Sequence, residues 1–134
     1  MISGYCLCGN VNYQITGDVG GIVHCHCETY RKAHGAAFSS VAAVHDRDFK
    51  LVGREFLNSY ESSPGKQRFF CSNCGTQVYA KREGTEHIIL RLGSLNEDPE
   101  SKETSHIWVS QKATWYSIPR SDDGCDLPQH EGFE

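Results

Sequence analysis

Several features of membrane, secreted and nucleic-acid-binding proteins are missing from this chain of 134 residues. No apolar run reaches the length that a membrane-spanning helix needs, so we expect no contact with a membrane. The opening residues, MISGYCLCGN, lack the charged and apolar stretches of a secretory signal, and we therefore expect a cytoplasmic protein. The net charge is -4 and the cations form no basic block, which argues against nucleic acid as a partner.

Long helical periodicity is also missing. Short segments that alternate, or are rich in β-branched and aromatic residues, recur between turn signals such as Ser63-Pro64-Gly65. This pattern predicts a mainly β fold with at most one or two short helices, one of them near Thr29 to His34. The length suits one domain, which we place at residues 1–134 with a polar tail from about 119.

The clearest predicted strand runs from Asn10 to Thr16, where Val11, Tyr13 and Ile15 share one face. Trp108 and Trp115 are interpreted as core residues because large aromatic side chains dominate protein cores. The remaining predicted strands are Val41–Val44, Phe56–Tyr60, Gln67–Phe70, Gln77–Lys81, His87–Leu92, His106–Val109 and Thr114–Ile118.

Cysteine, in contrast, is abundant. Six of the seven cysteines form doublets, which are Cys6 with Cys8, Cys25 with Cys27, and Cys71 with Cys74. Residues two apart on a strand point to the same side, and a C-x-x-C turn brings two thiols together at a hairpin tip. Doublets of this kind indicate zinc binding in an intracellular protein.

A disulfide framework is the alternative for a chain rich in cysteine. The cysteine count is odd, and two cysteines separated by one residue on a strand are poorly placed to bridge each other. We therefore favour metal ligation and interpret Cys125, alone in the polar tail, as a free thiol. Two doublets make a closed four-thiolate site, and their spacing alone allows three pairings of the doublets.

Five blocks of the sequence, in order, resemble the glutathione-dependent formaldehyde-activating enzyme (GFA) family, which is also described as centromere-protein-V-like. The resemblance implies a single GFA-type domain with an Mss4-like fold, in which zinc clamps β-sheets. It also implies that the structural zinc is bound by Cys6, Cys8, Cys71 and Cys74. The blocks are Gly4–Tyr13, Cys25–Cys27 with Arg31, Lys32 and Gly35–Phe38, Phe70–Thr76, Leu92–Leu95, and His106–Val109 with Lys112 and Trp115.

The second doublet departs from the family pattern C-H-C-x-x-C-R-K, because Tyr30 stands at the position of the third cysteine. The resemblance implies a catalytic zinc with three thiolate ligands and one open position. Two thiolates hold zinc poorly, and a neutral phenol is a weak replacement for the third. We therefore expect one structural zinc and regard a second ion at Cys25 and Cys27 as doubtful. Other candidates for the third ligand are Glu28, His34, His24 and Cys125.

The resemblance implies a carbon–sulfur lyase-type reaction, in which a small thiol such as glutathione adds to formaldehyde or a related aldehyde, or the reverse. In this interpretation Cys25 and Cys27 are catalytic, and Arg31 and Lys32 bind the substrate's carboxylates. Two alternatives stay open. In the first alternative, the chain is a zinc-stabilised binding module that has lost the catalytic zinc. In the second, it is a metal-free protein with a reactive thiol at Cys25 or Cys27. The sequence does not specify the oligomeric state.

Overall fold

A computed structural model describes residues 1–120 and 126–132 of the chain. Within those residues the chain has eleven β-strands and one α-helix, which confirms the predicted mainly β fold. The chain divides into two compact units, the first made of Met1–Gly20 with Ala42–Ser101 and the second of Gly21–Val41 with Lys102–Glu134. The single domain over residues 1–134 stays a prediction, and Cys125 lies outside the described residues. None of the described helices is long and apolar enough to cross a membrane.

The first unit contains a three-stranded antiparallel sheet. Its strands are β1 (Ile2–Tyr5), β2 (Asn12–Ile15) and β5 (Phe49–Val52), in the order β1-β2-β5. Val11, Tyr13 and Ile15 are all at most 2% exposed, which confirms the face predicted from their alternation. The phenol of Tyr13 is hydrogen-bonded to Ser94 Oγ at 2.7 Å, so its one polar atom is satisfied inside the core.

The other strands of the first unit form a second sheet. They are β4 (Ser39–His45) from Ala42 onward, β6 (Leu57–Ser63), β7 (Lys66–Cys71), β8 (Gln77–Arg82) and β9 (His87–Arg91), in the order β4-β9-β8-β7-β6. A tight turn at Pro64 and Gly65 joins β6 to β7, where the sequence predicted one. The rings of Phe69 and Tyr79 stack at 4.6 Å on the core side of β7 and β8.

The second unit is built around strand β3 (Ile22–Cys25). Strand β10 (Glu103–Ile107) pairs with β3 in parallel, β11 (Gln129–His130) pairs with β10, and the first residues of β4 pair with β3 in antiparallel. Helix α1 (Glu28–His34) matches the predicted helix. It begins after Cys27, whose sulfur accepts a hydrogen bond from the Tyr30 backbone N–H, and it ends at Gly35 in the left-handed conformation.

Two expectations for the segment after β10 are wrong. Residues 114–118 form a turn and an irregular segment rather than a strand, and Trp115 is 72% exposed rather than buried. The ammonium group of Lys112 donates hydrogen bonds to the carbonyl oxygens of Ala113 and Tyr116, which closes the chain into this compact turn. These hydrogen bonds bend the backbone into a turn, so residues 114–118 do not extend as a strand although their residue types predicted one.

The close packing at Gly53 gives a test of the first unit. Gly53 has a φ of +90°, and a Cβ there would lie 2.1 Å from the carbonyl oxygen of Asn10. Gly53→Ala should lower the free energy of unfolding by more than about 2 kcal/mol, because left-handed strain and overpacking add. Gly84→Ala is the matched control, since Gly84 has a φ of +86° and no atom near its Cβ position. Urea unfolding that gives equal losses for both variants would contradict the close approach at Asn10.

Candidate metal centre and thiol cluster

Four thiols of the first unit lie together, and they come from chain segments far apart in sequence. The sulfur of Cys8 is 3.6 Å from that of Cys6 and 3.7 Å from that of Cys71. All four ligand atoms lie within 4.8 Å of one another. The four residues are Cys6, Cys8, Cys71 and Cys74.

The loops that carry these thiols are shaped by backbone hydrogen bonds and by glycine. The Gly9 N–H donates to the Cys6 carbonyl at 2.9 Å, and the Gly75 N–H donates to the Cys71 carbonyl at 2.8 Å. Both glycines have a left-handed φ, +83° and +79°, which side chains disfavour. In addition, the Val11 N–H points at the Cys6 sulfur at 3.3 Å. Each cysteine doublet is thus fixed by a turn that its following glycine permits.

The spacing of the sulfurs fits a tetrahedral metal ion. Zinc binds thiolate sulfur at about 2.3 Å, so four ligands at tetrahedral corners lie roughly 3.8 Å apart. The two measured separations, 3.6 and 3.7 Å, are close to that value. Four soft thiolate ligands in this geometry select zinc or an iron–sulfur centre among the common biological metals. The cluster can therefore hold a metal ion.

The thiols of this cluster differ in how readily they ionise. A hydrogen bond from the Thr76 hydroxyl lowers the pKa of Cys74 to about 5. The Asn73 side chain lowers the pKa of Cys8 in the same way, whereas burial raises the pKa of Cys71 to about 11. The thiols that accept hydrogen bonds therefore ionise more readily than the buried Cys71.

Cys25 is the last residue of β3 and Cys27 follows it by two residues, and both belong to one buried cluster of the second unit. We call this side of the chain the sulfur face. Cys25 is fully buried, and Cys27 is 7% exposed. Ile107 pairs with Cys25 across the β3–β10 ladder and packs in the same cluster, and Tyr30 of α1 completes its buried part at 1% exposure. The predicted catalytic cysteines and the tyrosine that replaces the third cysteine are therefore brought together.

A three-ligand metal site is not completed by the described residues of the sulfur face. Across residues 1–120 and 126–132, the four thiols of the first unit are the one group of three or more His, Cys, Asp or Glu ligands close enough to share a metal ion. Two of the other candidates have different partners, since Glu28 pairs with Lys32 at 2.9 Å and His24 pairs with Glu103 at 2.5 Å. The roles of Cys25 and Cys27 as zinc ligands stay a prediction.

The opposite face of β3 carries a cluster that the sequence did not predict, and we call it the imidazole face. The Nε2 atom of His26 and the Nδ1 atom of His106 are hydrogen-bonded at 2.8 Å, and both rings are buried. The ring of His24 lies 4.9 Å from that of His106, and Phe38 and Tyr116 also contact His26. The alternation His-Cys-His-Cys over residues 24–27 was the available signal, because it places the two residue types on opposite faces.

Arg31 and Lys32, the predicted substrate-binding pair, are adjacent on α1 and therefore point in different directions. The side chain of Lys32 is 76% exposed and paired with Glu28 on the helix surface. Arg31 is half-buried, and its Nε atom is buried with no hydrogen-bond acceptor among the described residues. Lys32 thus lies on the solvent-exposed surface of the helix, whereas Arg31 is partly shielded from solvent.

Most of the chain matches a known protein family. The model of the glutathione-dependent formaldehyde-activating enzyme family matches residues 1–111. The chain belongs to this family. The match spans both cysteine doublets of the four-thiol cluster, the sulfur face and the His106–Trp108 segment.

Individual relatives of this GFA chain are distant. An uncharacterized lyase of Schizosaccharomyces pombe is 30% identical over 76 residues, which are 57% of this chain and 54% of that protein. An Aspergillus flavus protein whose name provisionally assigns it as a glutathione-dependent formaldehyde-activating enzyme is 30% identical over 82 residues, 59% of this chain and 43% of its own. The chain spans about half the length of these curated relatives.

The fold of this GFA chain also resembles a solved structure. A crystal structure of a Rhodobacter sphaeroides protein, determined as a structural genomics target, superposes with a TM-score of 0.61. The superposition covers 95% of this chain and 98% of the other, at 17% sequence identity. At that identity the likeness concerns the fold alone.

The imidazole face should make the stability of this GFA chain sensitive to acid. Burial, followed by the neighbouring His106 and His24, lowers the pKa of His26 to about 4, and burial also lowers the pKa of His106. Between the two pKa values, the unfolded chain therefore binds protons that the folded chain does not bind. The contribution of this pair is fully present above about pH 6.5 and is lost as the pH falls toward 4, by an amount on the order of 1–3 kcal/mol.

Urea unfolding at several pH values between 7.5 and 4.5 measures this loss. His106→Asn keeps a side chain that can bond to His26 but removes one ionisable ring, so its stability should fall less steeply with acid. His87→Asn, at an exposed position of β9, is the control and should follow the wild type. Identical pH slopes for all three proteins would contradict the coupling of the buried pair to folding.

Proposed function

We propose that the chain is a zinc-stabilised member of the GFA family that makes or breaks a carbon–sulfur bond between a small thiol and a small aldehyde. The observation that carries this proposal is the retained sulfur face, where Cys25 and Cys27 are buried together beside Tyr30. The relatives' names supply the reaction class, since they refer to a lyase and to formaldehyde and glutathione. A cytoplasmic location, where glutathione is abundant and thiols stay reduced, is part of the proposal.

The zinc of this proposal is structural and belongs to the first unit. Cys6, Cys8, Cys71 and Cys74 would bind it with four thiolates, which leaves no open position for a substrate. Bound there, the ion supplies folding free energy rather than chemistry, because it joins two loops that the unfolded chain holds apart. The reaction is therefore assigned to the second unit.

The reaction itself needs little from the protein. When a thiol adds to an aldehyde, a bond forms between sulfur and the carbonyl carbon, and the thiol proton moves to the carbonyl oxygen. No electrons are exchanged with a cofactor. Residues of the sulfur face would exclude water from the reacting atoms and hold the thiol in place. Arg31 and Lys32 stay the predicted binding groups for a substrate's carboxylates, with the half-buried Arg31 as the better placed of the two.

A binding module without catalysis is the second candidate, and Tyr30 is the observation that favours it. Its ring fills the position where the family pattern has a metal-binding thiol, and it is buried to 1% exposure. A tyrosine seated there stabilises the second unit by packing, whether or not a reaction occurs. The two candidates differ in whether Cys27→Ser abolishes a measurable reaction.

The structural zinc can be tested with a variant of one ligand and a variant of an exposed residue that lies between two other ligands. Purified protein should contain at least one zinc per chain, and Cys74→Ser should be largely unfolded because the metal's folding free energy is lost. Leu7→Ser is the matched control, since Leu7 lies between two of the ligands but is 85% exposed. Elemental analysis and circular dichroism measure both results. A Cys74→Ser protein that keeps wild-type zinc content and melting would contradict the assignment.

Substitution of Tyr30 distinguishes the enzyme from the binding module. We expect one zinc in the native chain, two in Tyr30→Cys, and faster thiol-dependent formaldehyde turnover in that variant, because a third thiolate completes an open zinc site. Magnetization-exchange NMR between free and S-hydroxymethyl glutathione measures the rate, with Cys27→Ser as the inactive control.

Two other results have definite meanings. Two zincs in the native chain, with fewer in Tyr30→Phe, would mean that Tyr30 already acts as a ligand. A native rate equal to that of Cys27→Ser, with one zinc and no gain in Tyr30→Cys, would reject the enzyme and leave the binding module.

A further inference from the structure

A serine, a histidine and a glutamate of the second unit are linked in a row on the imidazole face. The Oγ atom of Ser40 is hydrogen-bonded to Nδ1 of His24 at 2.8 Å, and Nε2 of the same ring lies 2.5 Å from Oε2 of Glu103. Ser40 and His24 are direct partners in the β3–β4 ladder, so their side chains stand on the same face of the sheet. The row is therefore held in place by the register of the strands.

A β-bulge in β10 is responsible for the position of Glu103. His106 is the partner of His24, and in a regular strand the residue three positions earlier would lie on the opposite face. The register shifts directly after Glu103, where Thr104 is the extra residue, so that Glu103 is the partner of Ile22 and lies on the face of His24. The Thr104 hydroxyl donates to the Ile22 carbonyl at 3.1 Å. Bulges often re-aim side chains next to active sites in this way.

The hydrogen bonds of the row suit a serine nucleophile. A carboxylate can only accept, so the Nε2–H group of the neutral His24 ring donates to Glu103, and Nδ1 is the acceptor for the Ser40 hydroxyl. Nδ1 is then the nitrogen that can take the proton of Ser40. A hydroxyl beside an imidazole base, with a carboxylate that orients the base, is the arrangement by which serine hydrolases activate their nucleophile.

The surroundings of the row are apolar at the serine end and open at the glutamate end. The side chain of His24 is 12% exposed and that of Glu103 is 57% exposed, whereas Ser40 is half-buried. The ring of Phe38 meets that of His24 edge-on at 5.1 Å, and Tyr116 lies 5.3 Å from Phe38. Aromatic side chains around a few fixed polar groups are typical of sites for small organic ligands.

A second imidazole lies beside the row. The ring of His106 is 4.9 Å from that of His24, and its Nδ1 atom is hydrogen-bonded to Nε2 of His26. When Nδ1 accepts this hydrogen bond, the proton of the neutral His106 ring is on Nε2. The ring is then a hydrogen-bond donor that can stabilise negative charge on a substrate's carbonyl oxygen, as attack by a hydroxyl requires.

We propose that this row hydrolyses esters of small carboxylic acids, with Ser40 as the nucleophile, His24 as the general base and Glu103 as a positioning residue. The Ser40 oxygen bonds to the ester carbonyl carbon while its proton moves to His24 Nδ1. The bond to the leaving alcohol breaks as the alcohol takes up that proton. Water then attacks the acyl-serine by the same route, so that one ester and one water give one acid and one alcohol. The proposal is independent of the proposed carbon–sulfur reaction, because it uses no residue of the sulfur face.

A fluorophosphonate probe tests the nucleophile in the full-length, zinc-loaded wild type. An activated serine forms an oxygen–phosphorus bond with this probe and releases fluoride, and mass spectrometry of the peptides locates the adduct. We expect an adduct at Ser40. Ser59, which is exposed on β6, is the internal control for exposure alone and should stay unlabelled. The absence of an adduct at Ser40, or equal labelling of Ser59, overturns the proposal whether or not any variant folds.

Hydrolysis of p-nitrophenyl acetate measures the activity, and variants checked by circular dichroism assign it. Ser40→Ala and His24→Gln should each lower kcat/KM by about 100-fold or more. Glu103→Gln should lower kcat by about tenfold with KM unchanged, because the amide no longer stabilises the positive charge that develops on the base. Ser39→Ala is the matched control, since Ser39 is the neighbour that pairs with Cys25. A wild-type rate in Ser40→Ala, or an equal loss in Ser39→Ala, contradicts the assignment.

Thiols also attack this ester, so Cys27→Ser separates the two reactions. It should keep the ester hydrolysis while losing the proposed carbon–sulfur reaction, and Ser40→Ala should show the converse. Ester hydrolysis that disappears in Cys27→Ser and persists in Ser40→Ala would assign it to the sulfur face and overturn the proposal.

Discussion

The first unit depends on the closure of two distant loops at one point. Cys8 and Cys71 are 63 positions apart, yet their sulfurs lie 3.7 Å from each other. Closing so long a loop costs conformational entropy. A metal ion that binds all four thiols would offset this entropy loss with its binding free energy, because it would bind only the folded state. Both sheets of the unit begin or end near this point, since β1 leads into Cys6 and β7 ends at Cys71.

Strand alternation organises the second unit in a comparable way. β3 and the residues after it present sulfur on one face and imidazole on the other, and parallel pairing with β10 adds Ile107 to the first and His106 to the second. One face thus carries two buried thiols, and the other carries a buried, hydrogen-bonded imidazole pair that supports them. Because Cys25, His26 and Cys27 are consecutive, the conformation of the support also fixes the direction of the thiols.

Much of this arrangement follows from the sequence. The mainly β fold, the helix near Thr29 and the core face of β2 were predicted, because alternation and turn residues are local signals. Cysteine spacing predicted that two doublets share a metal site but left three pairings open. The family resemblance selected one pairing of the doublets among three.

Features that depend on pairing between distant strands were missed. Strand β3 was not predicted, and the predicted strand His106–Val109 overlaps β10 only at its end. The parallel pairing of these two strands has no local signal in the sequence, so the His26–His106 contact could not be predicted. Trp115 was assigned to the core from its residue type, whereas local hydrogen bonds of Lys112 place it in an exposed turn.

The alternation of β3 also has a consequence for how such a chain can change over time. A substitution at a single position alters one face and leaves the other unchanged, so the sulfur face can gain or lose a thiol while the imidazole face persists. A single inserted or deleted residue before Cys25 has the opposite effect, since it would exchange the two faces and place imidazoles where the thiols were. Substitutions should therefore accumulate in this segment far more readily than changes in its length.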